Sequence, residues 1–116
     1  MHALIIEDES IIAMEIAEAL TSYGFTSIDI AWSEEEAVRV AALRRPALIT
    51  ADGRLRPGSG IDAVNVICSH GSIPVIFITA TPTEVERRMP DHPLVVKPFS
   101  NEALVSQLNL AMSNPK

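Results

Sequence analysis

The strongest constraint on the fold is an alternation repeated five times along the chain, a short apolar run followed by a longer segment with helical spacing. The runs lie at residues 3–6, 27–31, 47–50, 74–78 and 94–96. Those at 3–6, 47–50 and 74–78 are almost continuously apolar, as strands buried on both faces require. Ser27-Ile28-Asp29-Ile30-Ala31 alternates instead, which suits an edge strand with one face partly wet.

The intervening segments carry start and stop signals for helices. Ile12, Ile16 and Leu20 form an i, i+4 stripe with Gly24 as its C-cap. Ser33-Glu34-Glu35-Glu36 has the form of a capping box and leads into a second helix that ends before Pro46. Gly60 opens a third stripe of Ile61, Val64, Ile67 and Cys68 that closes near Gly71. Thr81-Pro82-Thr83-Glu84 is a further capping box with proline at N1, but Pro90 stops that helix after about two turns. Ser100 caps the last helix, whose Leu104 and Leu108 face the core. The expected fold is therefore α/β: a (βα)5 doubly wound, five-stranded parallel sheet with a shortened fourth helix.

With 116 residues the chain is expected to be one domain over 1–116, with no output domain encoded. Residues 47% hydrophobic but only 4% aromatic predict an aliphatic core. A formal charge of −6 supplies no general attraction to phosphate backbones or anionic lipid, so neither direct nucleic-acid binding nor membrane association is expected. The basic pairs Arg44-Arg45 and Arg87-Arg88 read as solvated helix ends. The single Cys68 excludes an internal disulfide framework and reads as a buried thiol. No run is long enough for a membrane helix, and the first residues lack a basic signal-peptide head, so a cytoplasmic location is expected.

In open parallel sheets, ligands bind beyond the carboxyl ends of the strands. Glu7, Asp8 and Glu9 follow the first run, Asp52 the third, Thr79 the fourth and Lys97-Pro98 the fifth. Clustered carboxylates repel one another unless a cation intervenes. Mg²⁺ satisfies them, because it takes one or two carboxylates together with water and phosphate oxygens. A carboxylate held beside such an ion can act as a nucleophile toward phosphorus. Phosphoryl transfer otherwise needs positioning and charge neutralisation, which Lys97 and the Thr79 hydroxyl can supply. Glu7, Asp8 and Asp52 against Lys97 leave a formal −2, which one Mg²⁺ neutralises. Each residue alone has a plainer explanation: Asp8 or Asp52 as a helix N-cap, Thr79 as a turn residue, Lys97 as a solvated charge. Their joint position after four different strands is what points to chemistry.

These stretches resemble the receiver domains of two-component response regulators. The resemblance runs through Ala3-Leu4-Ile5-Ile6-Glu7-Asp8-Glu9, then Ala47-Leu48-Ile49-Thr50-Ala51-Asp52 with Gly60 eight residues on. It continues through Pro74-Val75-Ile76-Phe77-Ile78-Thr79-Ala80 and Val95-Val96-Lys97-Pro98-Phe99. It implies a flavodoxin-like strand order 2-1-3-4-5 and a phosphoacceptor role for Asp52. By the same resemblance Asp8 is a direct Mg²⁺ ligand, Glu7 holds the metal through water, and the Arg54 carbonyl completes the shell. Thr79 and Lys97 become the switch hydroxyl and its paired charge, and Lys97-Pro98 a cis peptide. The implied partners are a sensor histidine kinase or histidine phosphotransfer protein and a downstream protein target, with a homodimer possible. Such a chain is a signalling switch rather than a turnover enzyme.

Four departures from the family pattern bear on output. The loop after Asp52 carries its proline at Pro57, one residue late, and Arg54 is unusually basic for its place. Leu94 stands where many members have an aromatic residue, and the stretch from Thr79 to Lys97 is short. Phosphorylation is therefore expected to reorder residues 80–93 rather than use a threonine–aromatic relay. A phosphohydrolase is disfavoured because Arg54 occupies the position of its usual second acid. The alternative is a pseudo-receiver, a binding module with the same fold and no phosphorylation. His2, His70 and His92 are expected in loops, Trp32 as a partly buried packing residue, and the methionines as gap-fillers or surface residues.

Overall fold

The computed structural model describes residues 1–55 and 58–113. Five strands form one sheet: β1 (His2–Ile6), β2 (Ser27–Ala31), β3 (Leu48–Ala51), β4 (Val75–Thr79) and β5 (Leu94–Val96). Five helices intervene: α1 (Ser10–Tyr23), α2 (Glu34–Leu43), α3 (Gly60–Cys68), α4 (Pro82–Arg88) and α5 (Asn101–Ser113). The sheet order is β2-β1-β3-β4-β5, as expected, and every pairing is parallel.

Burial follows the reading of the runs. β1, β3 and β4 are buried along their whole lengths, whereas β2 is half-buried except at Ala31. One core lies between the sheet and α2, α3 and Val85 of α4, and contains Leu4, Ile6, Ile49, Ile61 and Phe77. The other lies against α1 and α5, and contains Ile5, Ile16, Leu20, Leu48, Ile76, Leu104 and Leu108. The core is aliphatic apart from Phe25 and Phe77, the two fully buried aromatic residues.

Capping was legible where the cap is local. The Ser33 hydroxyl accepts the Glu36 N–H (3.2 Å), while the Glu36 carboxylate turns back to accept the Trp32 N–H (2.9 Å). Ser100 accepts the Ala103 N–H (3.1 Å). At the start of α3 the cap is Ser59, one residue before Gly60, and it accepts from Ile61 and Asp62. Gly24 closes α1 at φ 131°, a left-handed backbone that side chains disfavour.

Several expectations need correction. β3 and β4 run one residue later than the apolar runs; at the start of β4, Pro74 has no N–H to donate and only its carbonyl joins the sheet, accepting from Ile49 (3.0 Å). The Thr81 hydroxyl does not cap α4, since it lies 3.2 Å from the Thr79 hydroxyl instead. His2 is not in a loop: it is a buried β1 residue whose ring nitrogens meet Ser27 Oγ (2.8 Å) and Asp29 Oδ2 (3.0 Å). Trp32 is 53% exposed, standing just beyond the end of β2 at Ala31. Cys68 is half-buried at the margin of its core. Pro57, the displaced loop proline, lies outside the described residues.

Candidate functional site

The residues following the strands are held in place by the sheet's own hydrogen bonding, continued one residue past the strand ends. Glu7 N–H donates to Ala31 O, Asp52 N–H to Ile6 O and Lys97 N–H to Thr79 O, each at 2.9 Å. Glu7, Asp52 and Lys97 are thereby fixed to neighbouring strands rather than carried on loose loops. Thr79 is itself the last residue of β4. Neither Asp8 nor Asp52 is a helix N-cap: Glu9 and Ser59 occupy those positions in α1 and α3.

Lys97 Nζ sits 2.8 Å from Asp52 Oδ2 and 2.9 Å from Glu7 Oε1. The other Asp52 oxygen accepts the Arg54 N–H (3.1 Å), and Glu7 Oε2 accepts the Glu9 N–H (3.2 Å). Glu7 is fully buried and Asp52 nearly so. Burial pushes the Glu7 carboxyl up to about 7; the Asp52 charge also raises it, while Lys97 and the Glu9 N–H hold it down. For Lys97, burial alone would lower the pKa, but its bonds to Asp52 and Glu7 outweigh burial and raise it. The cation is therefore locked in its charged form between the two acids.

One ammonium does not satisfy this cluster. Glu7 Oε1 is buried and paired by charge with Lys97 at 2.9 Å, but the contact is not a well-aligned hydrogen bond, so that oxygen keeps acceptor capacity. One oxygen each from Glu7, Asp8 and Asp52 lie within 4.8 Å of one another. Three converging carboxylates with acceptor capacity to spare are the donor set of a hard divalent cation, and the residues fit one. Beside them a cleft of about 500 Å³ opens between Asp8, Asp52, Arg54, Thr79, Thr81 and Lys97. Arg54 is exposed at its rim.

Of the residues singled out from sequence, Glu7, Asp8, Asp52 and Lys97 converge directly. Thr79 lines the same cleft but hydrogen-bonds to Thr81. Sequence reading passed over Thr81 as a helix cap; its signal was the i, i+2 spacing of two hydroxyls across a strand end. It also passed over what the glycines accommodate. A Cβ on Gly60 would overlap the Asp52 carbonyl oxygen, which explains a glycine eight residues after Asp52. A Cβ on Gly53 would lie 2.8 Å from Val85 Cγ2 of α4, so the residue beside Asp52 is in close contact with that helix.

A parallel five-stranded sheet with an acid cluster and a lysine at its carboxyl edge defines a class of signalling domain. The family model of the response regulator receiver domain matches residues 3–109, and the chain belongs to that family. It is 43% identical over 112 residues to the phyllosphere-induced regulator PhyR of Methylorubrum extorquens, covering 90% of this chain and 42% of that protein. It thus spans less than half the length of that relative. The solution structure of the Erythrobacter litoralis PhyR receiver domain superimposes with a TM-score of 0.89 at 34% identity, covering 99% of this chain and 94% of that one. A Bartonella quintana structure described as anti-anti-sigma factor PhyR superimposes at 0.83 with 40% identity, covering 97% of this chain and 47% of that one. No helix among the described residues is long and apolar enough to cross a membrane.

Proposed function

We propose that the chain is a phosphoacceptor switch in which Asp52 receives a phosphoryl group from a phosphohistidine on a sensor kinase or phosphotransfer protein. An Asp52 carboxylate oxygen forms the new bond to phosphorus as the phosphorus–nitrogen bond of the donor breaks, and the electron pair returns to the imidazole. The observation that carries this reading is Lys97 Nζ bridging Asp52 and Glu7 at 2.8 and 2.9 Å beside an open cleft. An ammonium so placed can follow the charge from the free carboxylate onto a phosphoryl oxygen. Glu7, Asp8, Asp52 and the Arg54 carbonyl would hold Mg²⁺. That ion, when bound, supplies neutralisation of the phosphoryl oxygens. Thr79 donates its hydroxyl to one of those oxygens once Asp52 is modified.

Output runs through α4. Val85 is the one α4 side chain buried in the core, and its methyl group packs where a Gly53 Cβ would be. Movement of the Asp52–Gly53 backbone is therefore passed to residues 80–93 without an aromatic at Leu94. The similarity to the Bartonella anti-anti-sigma factor supports a protein, rather than DNA, as the downstream target.

The deciding experiment is intact-protein mass after incubation with acetyl phosphate, with and without Mg²⁺, for wild type and Asp52→Asn. A single phosphoryl adduct that needs both Mg²⁺ and Asp52 is expected. If acetyl phosphate and phosphorylated donor proteins all leave the mass unchanged, the chain is a pseudo-receiver.

A further inference from the structure

The hydrogen bonding of the Thr79 hydroxyl assigns a task to its neighbour. Thr79 is fully buried, and its carbonyl is occupied by the Lys97 N–H. Its Oγ1 accepts the backbone N–H of Thr81 at 3.1 Å and lies 3.2 Å from Thr81 Oγ1. A hydroxyl has one proton to give and two lone pairs to fill. The Thr81 N–H takes one lone pair of Thr79 whatever the hydroxyls do. The remaining pair of hydroxyls has two arrangements. If Thr79 donates to Thr81, its proton is spent inside the turn. If Thr81 donates to Thr79, both Thr79 lone pairs are filled and its proton is free to point into the cleft.

A phosphoryl group on Asp52 offers acceptors only, so its arrival selects the second arrangement. We infer that Thr81 is a positioning residue: its hydroxyl donates to Thr79 Oγ1 and so orients the Thr79 proton toward the phosphoryl oxygen. The relay runs Thr81 O–H to Thr79 O, then Thr79 O–H to the oxyanion. Hydroxyl chains of this kind strengthen each other, because donation to an oxygen makes its own proton a better donor. The same geometry accounts for the α4 N-terminus having no side-chain cap: the threonine that stands there has turned to the site. This assignment rests on the phosphoacceptor reading above.

Thr81 is exposed at the cleft rim, so water can partly replace a deleted hydroxyl, whereas a methyl group in its place cannot be bypassed. The test measures Mg²⁺-dependent formation of the Asp52 adduct from acetyl phosphate in wild type, Thr81→Ser, Thr81→Val, Thr79→Ala and the double variant. Thr81→Val is expected to lower the saturating rate by about five- to tenfold, the size of one lost hydrogen bond between neutral hydroxyls. The half-saturating acetyl phosphate concentration should stay the same, and Thr81→Ser should retain the wild-type rate. Adding Thr81→Val to Thr79→Ala should cost nothing further, because the two hydroxyls act as one unit. Equal rates for Thr81→Val and Thr81→Ser, or a full additional loss in the double variant, would overturn the assignment while leaving phosphoacceptance intact. No adduct on wild type from acetyl phosphate or phosphorylated donors would remove the phosphoacceptor reading and this inference together.

Discussion

The two halves of the site stand on very different foundations. Glu7 and Asp52 follow β1 and β3, strands buried along their whole lengths, and α1 beside them commits Ala13, Ile16, Ala19 and Leu20 to the core. Thr79 ends the fully buried β4, but the segment that follows it, through α4 to β5 and Lys97, is a thinner edge. β5 has three residues, of which only Val95 is buried, and the seven-residue α4 commits Val85 alone. Local opening costs least where few apolar contacts hold the backbone. The comparison teaches a division of labour: the acids are held rigidly where charge must be placed, and the lightly anchored edge is where a change of charge can become a change of shape. α4 is steadied by ion pairs of Arg88 with Asp62 (2.8 Å) and Glu84 (3.9 Å), which are weak at a surface.

The largest effect should come from the rigid half. Gly60→Ala pushes a methyl group into the Asp52 carbonyl, which is backbone and has nowhere to go. The variant should lose more than about 3 kcal/mol in urea unfolding, and a loss below about 1 kcal/mol would mean that the loop is softer than described. Gly53→Ala meets only the Val85 side chain, so a smaller loss of about 1–3 kcal/mol is expected. Its diagnostic consequence is raised hydrogen exchange across α4 without phosphorylation, while α1 exchange stays as in wild type. Equal changes in both helices would erase the distinction between the halves.

Phosphorylation itself sharpens the comparison further. Hydrogen-exchange protection over 80–93 should shift by at least about tenfold, against little change in β1 and β3. Identical protection with and without the phosphoryl group would end the proposal that output runs through this segment. The smallest effect is a pH dependence of stability in the metal-free protein. The Glu7 carboxyl rises from its ordinary 4.5 to about 7 in the fold, so the folded state binds the proton more tightly than the unfolded one. The resulting stabilisation is complete below the ordinary value and is lost as pH rises through the folded one. In chelator, Tm should therefore fall by a few degrees between about pH 5 and about pH 7.5. Mg²⁺ or Glu7→Gln should flatten that slope.

Much of this is legible in the amino-acid sequence alone. Continuous apolar runs announced the central strands, and the acids, hydroxyl and lysine behind them announced one functional edge. Less legible were features that depend on which element lies beside which. His2 sits in the first apolar run, but its burial against Ser27 and Asp29 follows from β1 pairing with β2. The exposure of Trp32 follows from where β2 stops relative to its neighbours. The capping pattern at Thr81 was present in the sequence but was overruled by a better partner two residues earlier.

The amino-acid sequence by itself determined the (βα)5 order, the aliphatic core and the identity of Glu7, Asp8, Asp52, Thr79 and Lys97 as an edge cluster. Periodicity and strand-end position are local properties, and each residue carries them whatever it touches. Only the tertiary structure decided that Lys97 bridges two acids, that Glu7 is buried deeply enough to be pushed to about 7, and that Val85 packs against Gly53. Those contacts join residues tens of positions apart, and their distances are set by strand register and helix packing, which no single segment encodes.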